Sequence, residues 1–290
     1  MSDHHAGYYV PNPSHWPLVA CIALFCMAVG AAHWLHHVWY GEYLFFTGFL
    51  ILVGMMFGWF GTVIHENQAG YYDDQVDRSF RWGMIWFIFS EVCFFSVFFG
   101  ALFYARWWVV PELGGDMYPL TNYLVWPNFH AAWPLLKNPN NQLFTAPLES
   151  MGAWGLPALN TLILLTSGVT ITWAHWALKL KKRKQLIVGM ILTVLLGISF
   201  LIAQGYEYHH AYTELGLTLS SGIYGTTFFM LTGFHGAHVT IGTIMLIVIL
   251  GRILCGHFTP ENHFAFEGVA WYWHFVDVVW LFLFVFVYWL

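Results

Sequence analysis

Long apolar runs dominate the pattern of hydrophobic and polar positions along the chain. Each reaches the roughly 20 residues that a helix needs to cross about 30 Å of hydrocarbon. To within a few residues, the seven runs lie at about 16–40, 44–64, 82–109, 153–178, 186–206, 222–250 and 267–290. The pattern therefore predicts an all-α integral membrane protein, a bundle of seven transmembrane helices forming a single domain over residues 1–290.

The longest connection follows the third run, at about 111–150. It holds six of the eleven prolines, namely Pro111, Pro119, Pro127, Pro134, Pro139 and Pro147. Because proline disrupts a helix interior, we expect no further span in this segment. We expect its aromatic residues Trp126, Phe129 and Trp133 to lie at the level of the lipid headgroups, with docking on another protein as the alternative.

Composition supports solvation by lipid. Only 9% of the residues are charged and 59% are hydrophobic, whereas about a quarter of the residues of a soluble domain are charged. The formal net charge of -5 is modest, and no stripe of Lys and Arg runs along any segment. Nucleic acid is therefore excluded as an expected partner.

The ten basic residues give an independent test of the seven predicted spans, because the spans follow from hydrophobicity alone. Eight fall on one side of the predicted membrane: Arg78, Arg81, Lys179, Lys181, Lys182, Arg183, Lys184 and Arg252. Only Arg106 and Lys137 fall on the other side. Since cytoplasmic loops carry the excess of Lys and Arg, we expect a cytoplasmic N-terminus and a C-terminal Leu290 on the outer face.

Small residues cluster in the sixth run, where they would let neighbouring backbones approach closely. They are Gly222, Gly225, Gly233, Gly236, Ala237 and Gly242. The cluster predicts that this helix is central in the bundle.

Two histidine patterns raise a metal hypothesis. His33, His36 and His37 form an H-x-x-H-H box of the kind found in membrane di-iron enzymes. A single box is insufficient for such a site, so we interpret these side chains as interfacial groups at the end of the first helix. His235 and His238 lie three residues apart on the sixth run.

His235 and His238 share a helix face, and with His175 or His274 from neighbouring helices they could ligate haem or copper. The preferred interpretation is that these buried imidazoles hydrogen-bond between helices. His274 and Asp277 are also three residues apart, so the carboxylate could accept a hydrogen bond from the imidazole ring.

Glu91 is the most informative polar residue. It lies about ten residues into the third run, and its helical neighbours Phe87, Ile88, Phe94 and Phe95 offer no partner. An ionised carboxylate would be costly there. We therefore expect Glu91 to be protonated or hydrogen-bonded to another helix, a lipid or a water molecule.

Several segments carry a family resemblance. They are His263–Glu267 (HFAFE), Ala270–Phe282 (AWYWHFVDVVWLF), Gly222–Phe229 (GIYGTTFF), Thr232–His238 (TGFHGAH), Ser167–His175 (SGVTITWAH), Ser90–Val92 (SEV), Pro111–Gly115 (PELGG) and Pro13–Pro17 (PSHWP). Together they resemble subunit III of the haem-copper cytochrome c oxidases over nearly the whole chain.

The resemblance implies seven helices in which helices 1–2 and 3–7 are separated by a V-shaped cleft filled with phospholipid. It implies no catalytic residue, no cofactor and no metal in this chain, with haem and copper held by the partner subunits I and II. The chain would stabilise subunit I, support proton uptake and offer dioxygen a lipid-lined route. The complex would take electrons from cytochrome c, reduce dioxygen to water and translocate protons across a bacterial plasma membrane or its equivalent.

By the same resemblance, the candidate lipid-binding or functional residues are Glu91, Glu66, His65, Arg252 and His257. The family often has Arg where this chain has His65, so the resemblance implies weaker or pH-dependent phosphate binding there. Two other classes stay open from the residues alone. One is a stand-alone membrane metal oxidoreductase that uses the histidine clusters, and the other is a transporter.

Overall fold

The structure, a computed structural model, describes residues 9–290. Within that range the regular structure is entirely helical. Seven helical segments are long and apolar enough to cross a membrane: Trp16–Leu35, Gly41–Gln68, Asp74–Leu113, Leu156–Lys179, Arg183–Thr213, Ile223–Leu254 and Phe264–Trp289. The predicted all-α membrane fold with seven spans is therefore confirmed.

The helices are numbered in chain order. They are α1 (Trp16–Leu35), α2 (Gly41–Gln68), α3 (Asp74–Tyr104), α4 (Val110–Leu113), α5 (Pro119–Val125), α6 (Leu156–Lys179), α7 (Arg183–Thr213), α8 (Ile223–Leu254) and α9 (Phe264–Leu283). A π-helical turn at Ala105–Val109 joins α3 to α4, and another at Phe284–Trp289 extends α9. The third and seventh spans therefore each continue through a π turn.

Three helix ends differ from the predicted boundaries. The third span begins at Asp74, not near residue 82, because the Asp73 carboxylate accepts a hydrogen bond from the Val76 amide at 2.8 Å and starts the helix. The first span ends at Leu35, not near residue 40, and His37 then has a φ of 57°. The fifth span continues to Thr213, beyond residue 206. An apolar run shows which residues cross the hydrocarbon layer, whereas the helix itself can continue through polar turns beyond that layer.

The contacts within the chain divide it into two compact units, residues 1–80 and residues 81–290. In the first unit α1 packs against α2, and glycines permit the approach. A Cβ atom at Gly30 would lie 2.4 Å from the Phe45 backbone nitrogen, and one at Gly41 would lie 2.3 Å from that of Trp34. Both distances are impossible for a side-chain carbon, so this close pairing requires glycine.

In the second unit α6, α7, α8 and α9 pack in successive contact, and α6 also contacts α9. Two fully buried indoles of α9 fill the interior. Trp273 donates to the Ser167 hydroxyl at 2.8 Å, and Trp280 donates to the Thr161 hydroxyl at 2.9 Å. These hydrogen bonds satisfy the only polar atom of each indole, so both rings can be buried at little cost.

Only some of the small residues of α8 allow the close approach of neighbouring groups that the sequence predicts. Gly242 accepts the Trp273 ring, since a Cβ there would lie 2.9 Å from the indole, and Gly225 lies against the Thr218 carbonyl. Gly236 meets no neighbour within 4 Å. Half of the most apolar stretch of the last span is buried, against 39% for α8. The most buried span is therefore α9, because it contributes the large rings that the α8 glycines receive.

The connection from α4 to α6 contains only the seven-residue helix α5, so the expected absence of another span is confirmed for this segment. Phe129 is 3% exposed, so it lies within the protein and not against lipid headgroups as predicted. Trp126 and Trp133 are partly buried against the same core. The Asn122 amide donates to the carbonyls of Leu113, Trp126 and Phe129 and holds the loop against the protein.

Gly30→Ala should destabilise the α1–α2 pair, because the added methyl group has only backbone atoms against it. We expect a loss of about 1–3 kcal/mol in the free energy of unfolding, the usual cost of overpacking. Thermal unfolding of the detergent-purified protein, followed by circular dichroism, measures it. Gly54→Ala is the matched control on α2, where nothing lies within 4 Å, and equal stability of the two variants would contradict the packing argument.

Candidate functional site

Glu91 of α3 and His238 of α8 form a polar contact inside the bundle. The Glu91 Oε2 and His238 Nε2 atoms are 2.9 Å apart, and the two side chains are 20% and 15% exposed. The other ring nitrogen, Nδ1, donates to the Phe234 carbonyl at 2.6 Å. The expectation that Glu91 hydrogen-bonds to another helix is confirmed.

This geometry requires a proton between the Glu91 carboxyl group and the His238 ring. Because a carbonyl can only accept, Nδ1 of His238 carries a hydrogen, and a neutral ring then presents a lone pair at Nε2. The contact with Glu91 therefore contains one further proton. It is held either on the carboxyl group, which donates to the ring, or on the ring, which donates to the carboxylate. Glu91 and His238 thus share one proton between α3 and α8.

Aromatic rings enclose the Glu91–His238 pair. The rings of Phe95 and His238 are 5.0 Å apart between centroids, and Tyr272 stacks on His238 at 6.4 Å. The Tyr272 hydroxyl also donates to the His238 carbonyl at 3.3 Å. Helix α9 therefore supports His238 through both the ring and the hydroxyl of Tyr272.

His235 serves a different neighbour. It is fully buried, its Nε2 donates to the Val276 carbonyl at 3.2 Å, and its ring packs against Trp280. His238 instead contacts Glu91. The structure therefore directs the two α8 imidazoles to different helices, which supports the prediction of interhelical hydrogen bonding over a shared haem or copper.

His274 and Asp277 face each other on α9, as their spacing indicates. Their closest atoms, Nδ1 and Oδ2, are 3.7 Å apart, which is within ion-pair distance but longer than an ordinary hydrogen bond. The His274 Nε2 lies 3.2 Å from the Thr172 hydroxyl on α6. The ring therefore lies between the carboxylate on its own helix and a hydroxyl on the neighbouring helix. His175, also on α6, lies against the rings of His263 and Phe266.

Glu66 and His65 occupy the end of α2 in the first unit. The Tyr72 hydroxyl donates to the Glu66 carboxylate at 2.8 Å, beside a cavity of about 280 Å³ that Tyr9 and Trp59 also line. Burial, reinforced by this hydrogen bond, raises the pKa of Tyr72 above its usual range, so its hydroxyl stays a donor at neutral pH. His65 is exposed. The two adjacent residues therefore lie in different environments.

Arg252 and His257 lie at the end of α8 and in the segment after it. Arg252 is only 9% exposed, and its guanidinium covers the Phe258 ring at 4.5 Å. The protein therefore encloses most of this side chain. The His257 Nδ1 atom is also buried and has no hydrogen-bond partner within the described residues.

Two polar contacts were missed from the sequence. Arg81 forms an ion pair with Glu267, which is distant in the chain. Glu207 is 2% exposed and accepts a hydrogen bond from the Tyr288 hydroxyl at 2.5 Å. The predicted fifth span ends near residue 206, so the apolar pattern leaves Glu207 just outside it, whereas α7 continues to Thr213 and buries this side chain.

Comparison with known proteins assigns the chain to a family. The family model for cytochrome c oxidase subunit III matches residues 5–290. The chain belongs to this family. Cytochrome c oxidase subunit 3 of Hippopotamus amphibius and that of Equus caballus are each 42% identical to it, and that of Oncorhynchus mykiss is 41% identical. Each alignment covers 100% of this chain and 99% of the relative.

Membership of the subunit III family makes the chain a component of an oxidase complex that contains other subunits. It is an integral membrane protein, as its seven spans also indicate. The stand-alone metal oxidoreductase considered from the histidine clusters is not favoured. The family match extends over both α1–α2 and the five later spans, so it covers the described helices of both units.

A double-mutant cycle on Glu91→Ala and His238→Ala tests the shared proton contact. Because each truncation leaves the other partner unsatisfied, we expect a coupling energy of about 0.5–1.5 kcal/mol, the range for polar contacts between membrane helices. Unfolding of the purified protein by sodium dodecyl sulfate measures it. The control cycle combines Glu91→Ala with His274→Ala, whose ring contacts Thr172. If the effects of Glu91→Ala and His238→Ala on the free energy of unfolding are additive, the two side chains are not energetically coupled and the prediction is contradicted.

Proposed function

We propose that the chain is the non-redox core subunit III of a proton-pumping cytochrome c oxidase of aerobic respiration. The assembled complex receives electrons from cytochrome c, reduces dioxygen to water and translocates protons, with haem and copper held by subunits I and II. The full-length family match over residues 5–290 carries this proposal. The chain contributes a membrane scaffold that stabilises subunit I.

The hydrogen bonds of the two imidazoles on α8 support a role without an electron carrier. Both ring nitrogens of His238 are engaged, with Phe234 and with Glu91. His235 uses Nε2 for the Val276 carbonyl. A haem or copper ion would have to break one of the two contacts of His238 to gain that ring as a ligand, and the remaining nitrogen of His235, Nδ1, is buried.

Lipid contact is the second part of the proposed function. Many large apolar side chains of the spans are exposed in the chain itself, including Phe57 at 67% and Trp86 at 64%, and bound phospholipids or partner subunits would cover them. The candidates for lipid binding or proton-uptake support are Glu91, Glu66, His65, Arg252 and His257. Among them Glu91 has the strongest support, because it shares a proton with His238 within an apolar span. A lipid-lined route for dioxygen follows from the same apolar surface.

The proposed orientation places the N-terminus in the cytoplasm and the C-terminus on the outer face of a bacterial plasma membrane or its equivalent. The distribution of basic residues supports this orientation. Lys179, Lys181, Lys182, Arg183 and Lys184 lie where α6 ends and α7 begins, and Arg252 lies in the last turn of α8. Positive charge of this density is typical of the cytoplasmic side. The terminal residues 1–8 lie outside the described residues.

Purification through a tag on this chain tests the assembly. In mild detergent we expect large haem-bearing and copper-bearing subunits to co-purify, with the oxidised and reduced haem spectrum. When the chain is then stripped away, the haem should leave with the partners and the chain should retain none. Haem or redox-active copper remaining in stoichiometric amount on the stripped chain would contradict the proposal.

Glu91→Gln should leave assembly intact and change phospholipid retention or the rate of inactivation during turnover. Glutamine can keep a hydrogen bond to His238, but it cannot exchange the shared proton. Lipid analysis of the purified complex and oxygen consumption over many turnovers measure the two effects. Glu214→Gln is the control, because Glu214 is a mostly exposed acid whose partner is His210. Wild-type behaviour in both assays would reduce Glu91 to a packing residue.

A further inference from the structure

Three side chains with metal-ligating atoms meet where α6 ends and α9 begins. They are His175 near the end of α6, His263 immediately before α9, and Glu267 in the first turn of α9. One ligand atom from each lies within 4.8 Å of the other two. In the described part of the chain this is the one group of three or more His, Cys, Asp or Glu side chains that converges so closely.

The two imidazoles in this cluster have unsatisfied nitrogens. His263 is 8% exposed, and neither its Nδ1 nor its Nε2 has a hydrogen-bond partner among residues 9–290. The Nε2 of His175 is also buried and without one. A buried polar atom left without a partner costs about 1–3 kcal/mol. Each neutral imidazole offers one lone pair, so the two rings can together supply two nitrogen ligands to a metal ion.

Glu267 is already oriented for a second contact. Its Oε2 pairs with the Arg81 guanidinium from α3, which leaves Oε1 free of that ion pair. Carboxylates that bind metals are commonly held by such an outer partner. Two of the three candidate ligands are imidazoles, whereas hard ions such as Mg²⁺ bind through oxygen ligands. The donor set therefore favours a metal that bonds to imidazole nitrogen.

We propose that His175, His263 and Glu267 form a binding site for a divalent transition metal of the Zn²⁺ class, with water as the fourth ligand. Two imidazole nitrogens and one carboxylate oxygen are a usual zinc donor set. Because Zn²⁺ binds nitrogen at about 2.0–2.1 Å, the three side chains must close in slightly from their present separation. The metal would link the end of α6 to the start of α9, beside the Arg81–Glu267 ion pair.

This site goes beyond the sequence-based expectation that the chain holds no metal. It does not conflict with the absence of an electron carrier, since Zn²⁺ has no redox chemistry. It is also independent of the proposed function, because the ligands all belong to residues 81–290 of this chain.

Zinc binding by the tagged protein, purified with whatever subunits accompany it, tests the site. After a chelator wash, Zn²⁺ is titrated against a competing indicator, and bound zinc is counted by mass spectrometry. We expect the wild type to bind one more tightly held Zn²⁺ per chain than His263→Gln or His175→Gln. In these variants the affinity of that ion should fall by more than the roughly 10–100-fold that loss of an outer partner costs. His210→Gln, which removes a histidine paired with Glu214 on α7, should bind as the wild type does.

A second variant identifies the site even if other subunits bind zinc. His263→Cys replaces an imidazole with a thiolate, another preferred zinc ligand, so binding should persist. X-ray absorption at the zinc edge should then show one sulfur neighbour at about 2.3 Å that the wild type lacks. Equal zinc content and affinity in the wild type and His263→Gln, or a zinc spectrum of His263→Cys identical to that of the wild type, would overturn the proposal.

Discussion

The constraint on which this structure depends is that a polar group within an apolar span must find its partner on another helix. Lipid offers no hydrogen bonds, and its tails solvate apolar side chains as well as protein does. Helix association therefore depends on close backbone approach and on a few polar contacts. Gly30 and Gly41 provide the first in the α1–α2 pair. The contact of Glu91 with His238 and that of Trp273 with Ser167 provide the second in the later helices.

The same constraint explains how one chain can contain sixteen histidines without dedicating its central ones to a redox centre. In an apolar interior, an imidazole that joins two helices is a structural device. His238 has partners for both ring nitrogens, and His235 reaches α9 through Nε2 while its Nδ1 has no partner among the described residues. Neither nitrogen of His263 has a partner there. These residues are all histidines in helices or at a helix start, so they differ in their partners and not in their chemistry.

Membership of the subunit III family accords with this division of labour. A scaffold subunit needs a stable bundle, apolar surfaces for lipid and neighbours, and polar groups placed at specific depths. Glu91 meets the last requirement, because its proton is shared with His238 inside an aromatic enclosure. Glu66 meets it at the end of α2, where Tyr72 holds its carboxylate. Both carboxyl groups are held in place by hydrogen bonds to residues outside their own helices.

The amino-acid sequence alone determined the class of protein, the number of spans and the family, because hydrophobic length and contiguous motifs are properties of the chain itself. It also indicated that Glu91 needs a partner from elsewhere. Only the tertiary structure decided that this partner is His238, that His274 reaches Thr172 on a neighbouring helix, and that Phe129 is buried. It likewise brought Arg81 to Glu267 and placed His175 beside His263. These contacts join residues far apart in the chain, and their choice depends on helix rotation and packing, which hydrophobic periodicity does not specify.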